Sequence, residues 1–513
     1  MFIFVKPILY SNTKLAKKNM LLLGIDVGTS SIKVSVVDSA SGNILSRAQY
    51  PDVEAEILAP KYGWAEQSPD LWWEHVQQAI LICNAKQKYN PLSIAAIGIA
   101  YQMHGLVIVD ENQNSLRNSI IWCDSRAVKI GDQALKDLGE DFALSHLLNS
   151  PGNFTASKLA WVKQNEPEVY SKISKMMLPG DYISMKLTGE ITTSISALSE
   201  GIFWDFATNS LSQEVMTYYG FKASLIPEIT PVFSEHGQLT KTVAQKLGLK
   251  KGIPVAYKAG DQPNNALSLN VTKPGEVAAT AGTSGVIYGV TDQLLSDKQS
   301  RVNTFAHVNH STIDQRLGVL LCINGTGSMN RWTKSLFDSS MNYATMNSVA
   351  KNVAPGSDGL LVLPFGNGAE RMLNYKMVGV HFQHIDLNLH TQAHIFRAVQ
   401  EGIAFAFRYG LDILKENGMQ PSIIRAGRSN LFLSDIFSQS FVNITGIPVE
   451  LYENDGSYGA AVGAGIGAGI YQSADEAFIN KKPVQLIEPN IENLEEQYQK
   501  WKKLLERQLN TTN

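Results

Sequence analysis

The chain has 513 residues, of which 44% are hydrophobic and 18% charged, with a formal net charge of −3. A single hydrophobic core stops growing near ~250–300 residues, so this length implies two large domains. The charge balance lacks the basic excess of a nucleic-acid binder, and no apolar run reaches the ~18–20 residues of a membrane span. Cys83, Cys123 and Cys322 are too few and too scattered for a metal motif or a disulfide framework. Composition therefore predicts a cytoplasmic globular protein.

In chain order, Phe2-Ile3-Phe4-Val5 is apolar and Lys14, Lys17 and Lys18 come after it, the reverse of a secretory signal. Residues 1–19 are expected to be a disordered arm or an upstream start-site artefact, with the fold starting at Met20. Residues 21–26 read as a buried strand, Gly28-Thr29-Ser30-Ser31 as a turn, and residues 32–38 as a second strand. Ser68 caps a helix with Pro69 in its first position. Residues 94–100 form the next strand. The loop Tyr101-Gln102-Met103-His104-Gly105 follows, then a strand over 106–110. Strands alternating with helices predict an α/β fold whose strand-end loops carry the site.

The opening pattern recurs. Residues 276–281 read as a strand, Gly282-Thr283-Ser284-Gly285 as a turn, and residues 286–290 as a strand. Amphipathic helices are predicted over 391–415, 431–444 and 497–509. The expected organisation is one domain over 20–268, a second over 269–490, and a helix and tail over 491–513.

A lone Gly-Thr-Ser turn is explained as well by a hairpin as by a ligand. Two copies after matching strands suit one polyphosphate gripped from both sides, because glycine admits phosphate oxygens to backbone N–H groups and the hydroxyls add donors. Asp26, ending the first strand, is placed to hold a hydrated Mg²⁺ beside those phosphates. Asp261, in Gly260-Asp261-Gln262 near mid-chain, is placed to accept a hydroxyl proton during attack on phosphorus.

The ordered set Gly24-Ile25-Asp26-Val27-Gly28-Thr29-Ser30, Gly63-Trp64-Ala65-Glu66-Gln67, Gln102-Met103-His104-Gly105, Trp122-Cys123-Asp124-Ser125-Arg126, Leu178-Pro179-Gly180-Asp181-Tyr182, Gly260-Asp261-Gln262 and Gly282-Thr283-Ser284-Gly285 resembles the FGGY carbohydrate kinase family. The resemblance runs from Met20 to about Gly469. It implies two actin-like, ribonuclease-H-like domains with ATP, Mg²⁺ and a small sugar in a deep cleft between them. It implies Asp261 as general base and Asp26 near the metal. Met103, His104 and Gln262 are implied at the sugar, with Trp122, Asp124 and Arg126 lining the cleft. Thr29, Ser30, Gly282, Thr283, Ser284 and Gly327 are implied at the phosphates, and Gly427 and Asn430 at the adenine. The Met103-His104 pair resembles that of family members acting on D-xylulose, which implies D-xylulose 5-phosphate as product. No nucleic-acid or membrane partner is expected, and a homodimer is left open.

Two departures from the family pattern stand out. Ala426, in Arg425-Ala426-Gly427-Arg428, replaces a common glycine, and its methyl is expected to narrow the adenine slot. Glu370-Arg371-Met372-Leu373 replaces a usual Glu-Arg-Thr-Pro. Other readings are a kinase for gluconate, ribulose, a deoxyhexulose or glycerol, and a catalytically silent nucleotide sensor on the same fold. A nicotinamide site would need the glycines of 463–468 to leave a strand and open a helix. They lie instead within a run of small residues expected to pack closely on a sheet.

Overall fold

A computed structural model describes residues 20–490 and 493–511; the expected arm over 1–19 lies outside them. The first sheet contains β1 (Leu21–Val27), β2 (Ile32–Asp38), β3 (Ile44–Tyr50), β4 (Ile94–Tyr101) and β5 (Val255–Gly260). The second contains β6 (Glu276–Ala281), β7 (Gly285–Thr291), β8 (Asn303–Ala306), β9 (Leu317–Ile323), β10 (Ile423–Gly427), β11 (Val449–Tyr452) and β12 (Gln485–Ile487). Their orders are β5-β4-β1-β2-β3 and β8-β9-β7-β6-β10-β11-β12.

The two orders share one plan. An antiparallel meander, β1-β2-β3 or β6-β7-β9, is extended from its first strand by two parallel strands, β4-β5 or β10-β11. This is the ribonuclease-H-like arrangement, used twice, with β8 and β12 added at the edges of the second copy. The hairpins β1–β2 and β6–β7 each turn through a Gly-Thr-Ser, so both copies set that tripeptide at the same place.

The helices that build the site and cores are α1 (Pro69–Ala85), α2 (Thr155–Asn165), α3 (Ile195–Glu200), α4 (Asp261–Ser268), α5 (Gly327–Phe337), α6 (Gln392–Glu416), α7 (Asp435–Thr445), α8 (Gly456–Gly467) and α9 (Glu495–Thr511). Ser68 accepts the Leu71 N–H and caps α1, as its sequence predicts. The helix expected over 431–444 instead begins at Asp435. Asn430 has φ +54° and Ser434 is extended, so residues 430–433 make a separate tight turn. The second core packs α6, α7 and α9 on its sheet, with Trp501 buried against Phe365 and Phe405. Among the described residues, no helix is long and apolar enough to cross a membrane.

The helices leaving the last parallel strands carry the geometry that matters. α4 leaves β5, and α8 follows β11. Although it lies in the second half of the chain, α8 packs across β1, β4 and β5 of the first sheet. Its run of small residues makes this contact possible. A methyl on Gly24 would sit 1.9 Å from the Ser457 carbonyl oxygen, and one on Gly98 would sit 2.0 Å from that of Ala460. Gly463 meets the Tyr257 ring, where a methyl would come within 2.5 Å. The glycines of 463–468 therefore lie inside or at the end of a packed helix.

Gly98→Ala should be destabilising, because the helix backbone opposite it has no side chain to swing away. Overpacking of this kind costs about 1–3 kcal/mol, at times more. The check is a urea unfolding midpoint that falls without a change in slope; an unchanged midpoint would show that α8 can lift from the sheet.

Candidate active site

Asp26 lies near the end of β1, opposite Lys33 on β2 and Ala100 on β4. Asp261 is the first residue of α4, where the helix dipole favours a carboxylate. The first sheet brings the two together, since Ala100 of β4 pairs with Asp26 on one side and with Ala259, two residues before Asp261, on the other; the α4–α8 contact then closes over them. Asn264 of α4 donates to the Gly456 carbonyl at 2.8 Å, and a methyl on Gly456 would lie 2.4 Å from an Asp26 carboxylate oxygen. Only glycine leaves the space above Asp26 open.

Both carboxyls hold a proton more tightly than usual. Asp261 is pushed up to about 7, first by lost hydration and then by the charge of Asp26; N–H groups of Gln262 pull the other way. Asp26 is pushed up to about 6 by lost hydration; Lys33 draws it down and Asp455 pushes it up. Both side chains remain partly accessible from the cleft, so the desolvation comes from its depth. Neither has an ion-pair partner within 4 Å among the described residues. An uncompensated acid pair suits a cation. No group of three or more His, Cys, Asp or Glu among the described residues can hold one unaided. This donor set fits Mg²⁺, which usually takes one or two carboxylates together with water and phosphate oxygens; Asp26 is the residue that could hold it.

The first Gly-Thr-Ser turn is braced by a polar chain. Gln67 donates to the Thr29 carbonyl at 2.8 Å, Gln102 donates to Gln67 at 3.1 Å, and Thr29 Oγ1 donates to Gln102 at 3.2 Å. Trp122 Nε1 donates to Thr29 Oγ1 at 3.0 Å, which sets the exposed indole beside the turn. The carbonyl of Ser30 accepts the Ala55 N–H.

The second turn meets the start of α5. The Gly282 carbonyl accepts from the Gly327 N–H at 2.8 Å and from Thr326 Oγ1 at 2.8 Å. Thr283 is exposed, Ser284 is partly accessible, and Asn430 stands 3.5 Å from where a methyl on Gly282 would be. Asn265 of α4 reaches Thr280, two residues before Gly282, at 3.4 Å. A cavity of about 170 Å³ between α4 and this turn is lined by Asn265, Thr280, Gly427, Asn454, Asp455 and Gly456. Gly427 thus lies in one pocket with the backbone above Asp26. Larger surface cavities, of about 610 and 580 Å³, open elsewhere beside Tyr218 and beside Arg47.

Met103 and His104 lie on the first-domain wall next to β5. A methyl on Gly260 would meet Met103 Cγ at 2.6 Å, so the Met103 side chain covers the residue before Asp261. His104 has a left-handed backbone, φ +63°, and its ring lies among Phe154, Phe305 and the Glu200 carbonyl. Burial lowers it to about 3, so the imidazole is neutral.

Three expectations are corrected. Asp124 and Arg126 do not face the cleft. Asp124 is fully buried and accepts from Ala65 N–H and the Arg126 guanidinium, which itself lies 3.7 Å from the centre of the Trp64 ring and 2.7 Å from Glu66. Two charges two residues apart fold onto each other and prop the loop that carries Trp122. Nor does Ala426 narrow a slot: it is fully buried in the second core, alternating with Arg425 and Gly427 along β10.

Other contributors were given no role by the sequence reading. Glu370 is fully buried and accepts the Asn324 N–H at 3.0 Å, fixing the turn before α5; burial raises it to about 7. Glu200 and Lys158 lie behind His104. Each is a polar residue inside a helix, with no spacing signal to mark it as buried.

A model of the N-terminal domain of the FGGY family of carbohydrate kinases matches residues 21–268, and one of its C-terminal domain matches residues 277–469. The chain belongs to the FGGY family of carbohydrate kinases. Xylulose kinase from Staphylococcus xylosus is 30% identical over 469 residues, spanning 89% of this chain and 92% of that protein. A crystal structure of a xyloylose kinase from Brucella ovis, 25% identical, superposes with TM-score 0.84 and covers 94% of this chain and 98% of that one. A gluconate kinase from Lactobacillus acidophilus, 23% identical, also superposes at 0.84, covering 96% and 97%, and so shares the fold.

The acid pair has a consequence for stability. An unfolded Asp titrates near 3.8, so the folded chain holds extra protons from about pH 4 to about 7. Stability contributed by these groups therefore falls as pH rises through that window. Asp26→Asn should melt higher than wild type at pH 8, the gap shrinking toward pH 4, while kinase turnover drops. Equal melting temperatures at pH 8 would show that holding the Asp26 charge out of water costs the fold nothing.

Proposed function

We propose that this kinase transfers the γ-phosphoryl group of ATP to D-xylulose, giving D-xylulose 5-phosphate and ADP. The observation that carries the reading is the placement of Asp261. It lies one residue from the backbone covered by Met103, beside Asp26, and on the helix that reaches the second Gly-Thr-Ser strand.

The sugar's 5-hydroxyl oxygen attacks the γ-phosphorus while the bond to the β,γ-bridging oxygen breaks. Asp261 takes the hydroxyl proton, late in the step because the transition state is loose. Backbone N–H groups of the two turns, with Thr29, Ser30, Thr283 and Ser284, orient the phosphates, and Gly427 and Asn430 border the nucleoside end. Asp26 would hold Mg²⁺, which would supply positive charge against the phosphate oxygens. Neutral His104 and the Gln262 amide provide uncharged hydrogen-bonding groups for a neutral sugar, and Trp122 closes the pocket rim.

D-xylulose is favoured by the Gln102-Met103-His104-Gly105 loop and by the names of relatives similar over most of the chain. The gluconate kinase with the same fold makes an aldonate the competing reading. A neutral His104 offers that carboxylate no charge partner. A silent sensor would need no base of this kind.

In an ADP-release assay across ketoses, aldonates and glycerol, D-xylulose should give the highest kcat/KM. A tenfold advantage for gluconate or glycerol would overturn the substrate while leaving the kinase. His104→Ala should raise the sugar KM, the lost hydrogen bond costing about 0.5–1.5 kcal/mol, with the ATP KM nearly unchanged. The opposite pattern would remove His104 from the sugar pocket.

A further inference from the structure

Behind His104 sits a buried carboxyl that the reaction above does not use. Glu200 ends α3 and is 2% exposed. Its Oε1 accepts the Tyr101 hydroxyl at 2.7 Å, and its main-chain carbonyl faces His104 Nδ1 at 3.0 Å. Its Oε2 has no hydrogen-bond partner, lies 3.7 Å from His104 Nδ1, and would be 3.3 Å from a methyl on Gly260, the residue before Asp261. From the other side Lys158, also fully buried, donates to the His104 carbonyl at 2.8 Å. A left-handed non-glycine residue held from both sides is costly to maintain and marks a position set by its surroundings.

A carbonyl oxygen only accepts, so the contact with Glu200 O places the proton of His104 on Nδ1 and leaves Nε2 as a bare acceptor. A sugar hydroxyl can donate to it. We propose that Glu200 is a positioning residue which, in its neutral acid form, keeps His104 as an Nε2 acceptor and leaves Asp261 free to ionise. An ionised Glu200 would draw a proton onto the imidazole, turning Nε2 into a donor. It would also place a further negative charge beside Asp261.

The groups facing Glu200 favour the acid form. Burial raises it well above the usual carboxylate range, and Asp261 of α4 and Asp181 add to this; Tyr101 of β4 and the His104 contact oppose it. Lys258 lies 2.7 Å from Asp181 and takes up much of that charge. Tyr288 of β7 is neutral, and Lys158 of α2, lowered to about 7 chiefly by burial, gives only partial opposition.

The inference rests on the assignments of His104 and Asp261 made above, so one readout needs no substrate. In wild-type protein at about pH 7, the ¹⁵N shifts of His104 should show Nδ1 protonated and Nε2 bare. A ring protonated on Nε2 overturns the proposal whatever the sugar proves to be. The second readout is Glu200→Gln, which copies the acid form and can still accept from Tyr101. Its kcat and sugar KM should stay within about threefold of wild type near neutrality, with the ATP KM unchanged. Wild-type kcat/KM for the best sugar of the panel should fall on the alkaline side as Glu200 ionises, and the variant should lack that fall. A folded variant more than about tenfold slower would mean that Glu200 works as an anion, and superimposable pH profiles would mean that it only fills space; either result overturns the proposal.

Discussion

The site depends on one close contact, the crossing of α4 and α8. Each helix leaves the last parallel strand of one sheet, and the two meet where Asn264 donates to the Gly456 carbonyl. Gly459 lets the backbones approach; a methyl there would sit 2.8 Å from the Asn264 carbonyl oxygen. Without this crossing Asp26 and Asp261 would still share one end of the first sheet, on either side of β4, but nothing from the second half of the chain would lie over them. With it, one carboxylate lies under the start of α8 and the other begins α4. The small residues of α8 are thus a condition of the chemistry as well as of packing.

Bringing two acids together in a desolvated cleft runs against folding. Their raised proton affinities express that cost, and Gly456 keeps the space above Asp26 open rather than filling it with a neutralising side chain. Binding of the cation proposed at Asp26 would relieve the repulsion, so metal affinity and native stability would draw on the same electrostatic tension. Sites that hold such strain are commonly less stable than their inert variants.

Much of this was legible in the sequence. Both strand–turn–strand openings were visible because short apolar runs bounded by glycine and serine have few other readings, and residues 276–281 form the strand expected of them. Asp26 and Asp261 stood out because each sits at the end of such a run. What stayed hidden was tertiary. Spacing alone could not show that Asp124 and Arg126 turn toward each other, or that α8 would lie on the other half's sheet. Glu200 and Lys158 carry no sequence signal of burial, which becomes visible only when α2 and α3 are placed behind the loop at His104. Ala426 was the avoidable error: Ile424 and Ala426 share one face of β10 and alternate with Arg425, a period that points the methyl inward.

The central claim is that Asp261 takes the proton in a phosphoryl transfer whose nucleotide site is built by other residues. Asp261→Asn is nearly isosteric and should fold. Its kcat at saturating sugar, measured beside its calorimetric affinity for Mg-ATP, tests the claim most directly. Loss of a general base typically costs about 10²–10⁴ in rate, so kcat should fall by at least that lower figure while nucleotide affinity persists. A folded variant that keeps more than about a tenth of wild-type kcat, against that expected loss, would contradict the account.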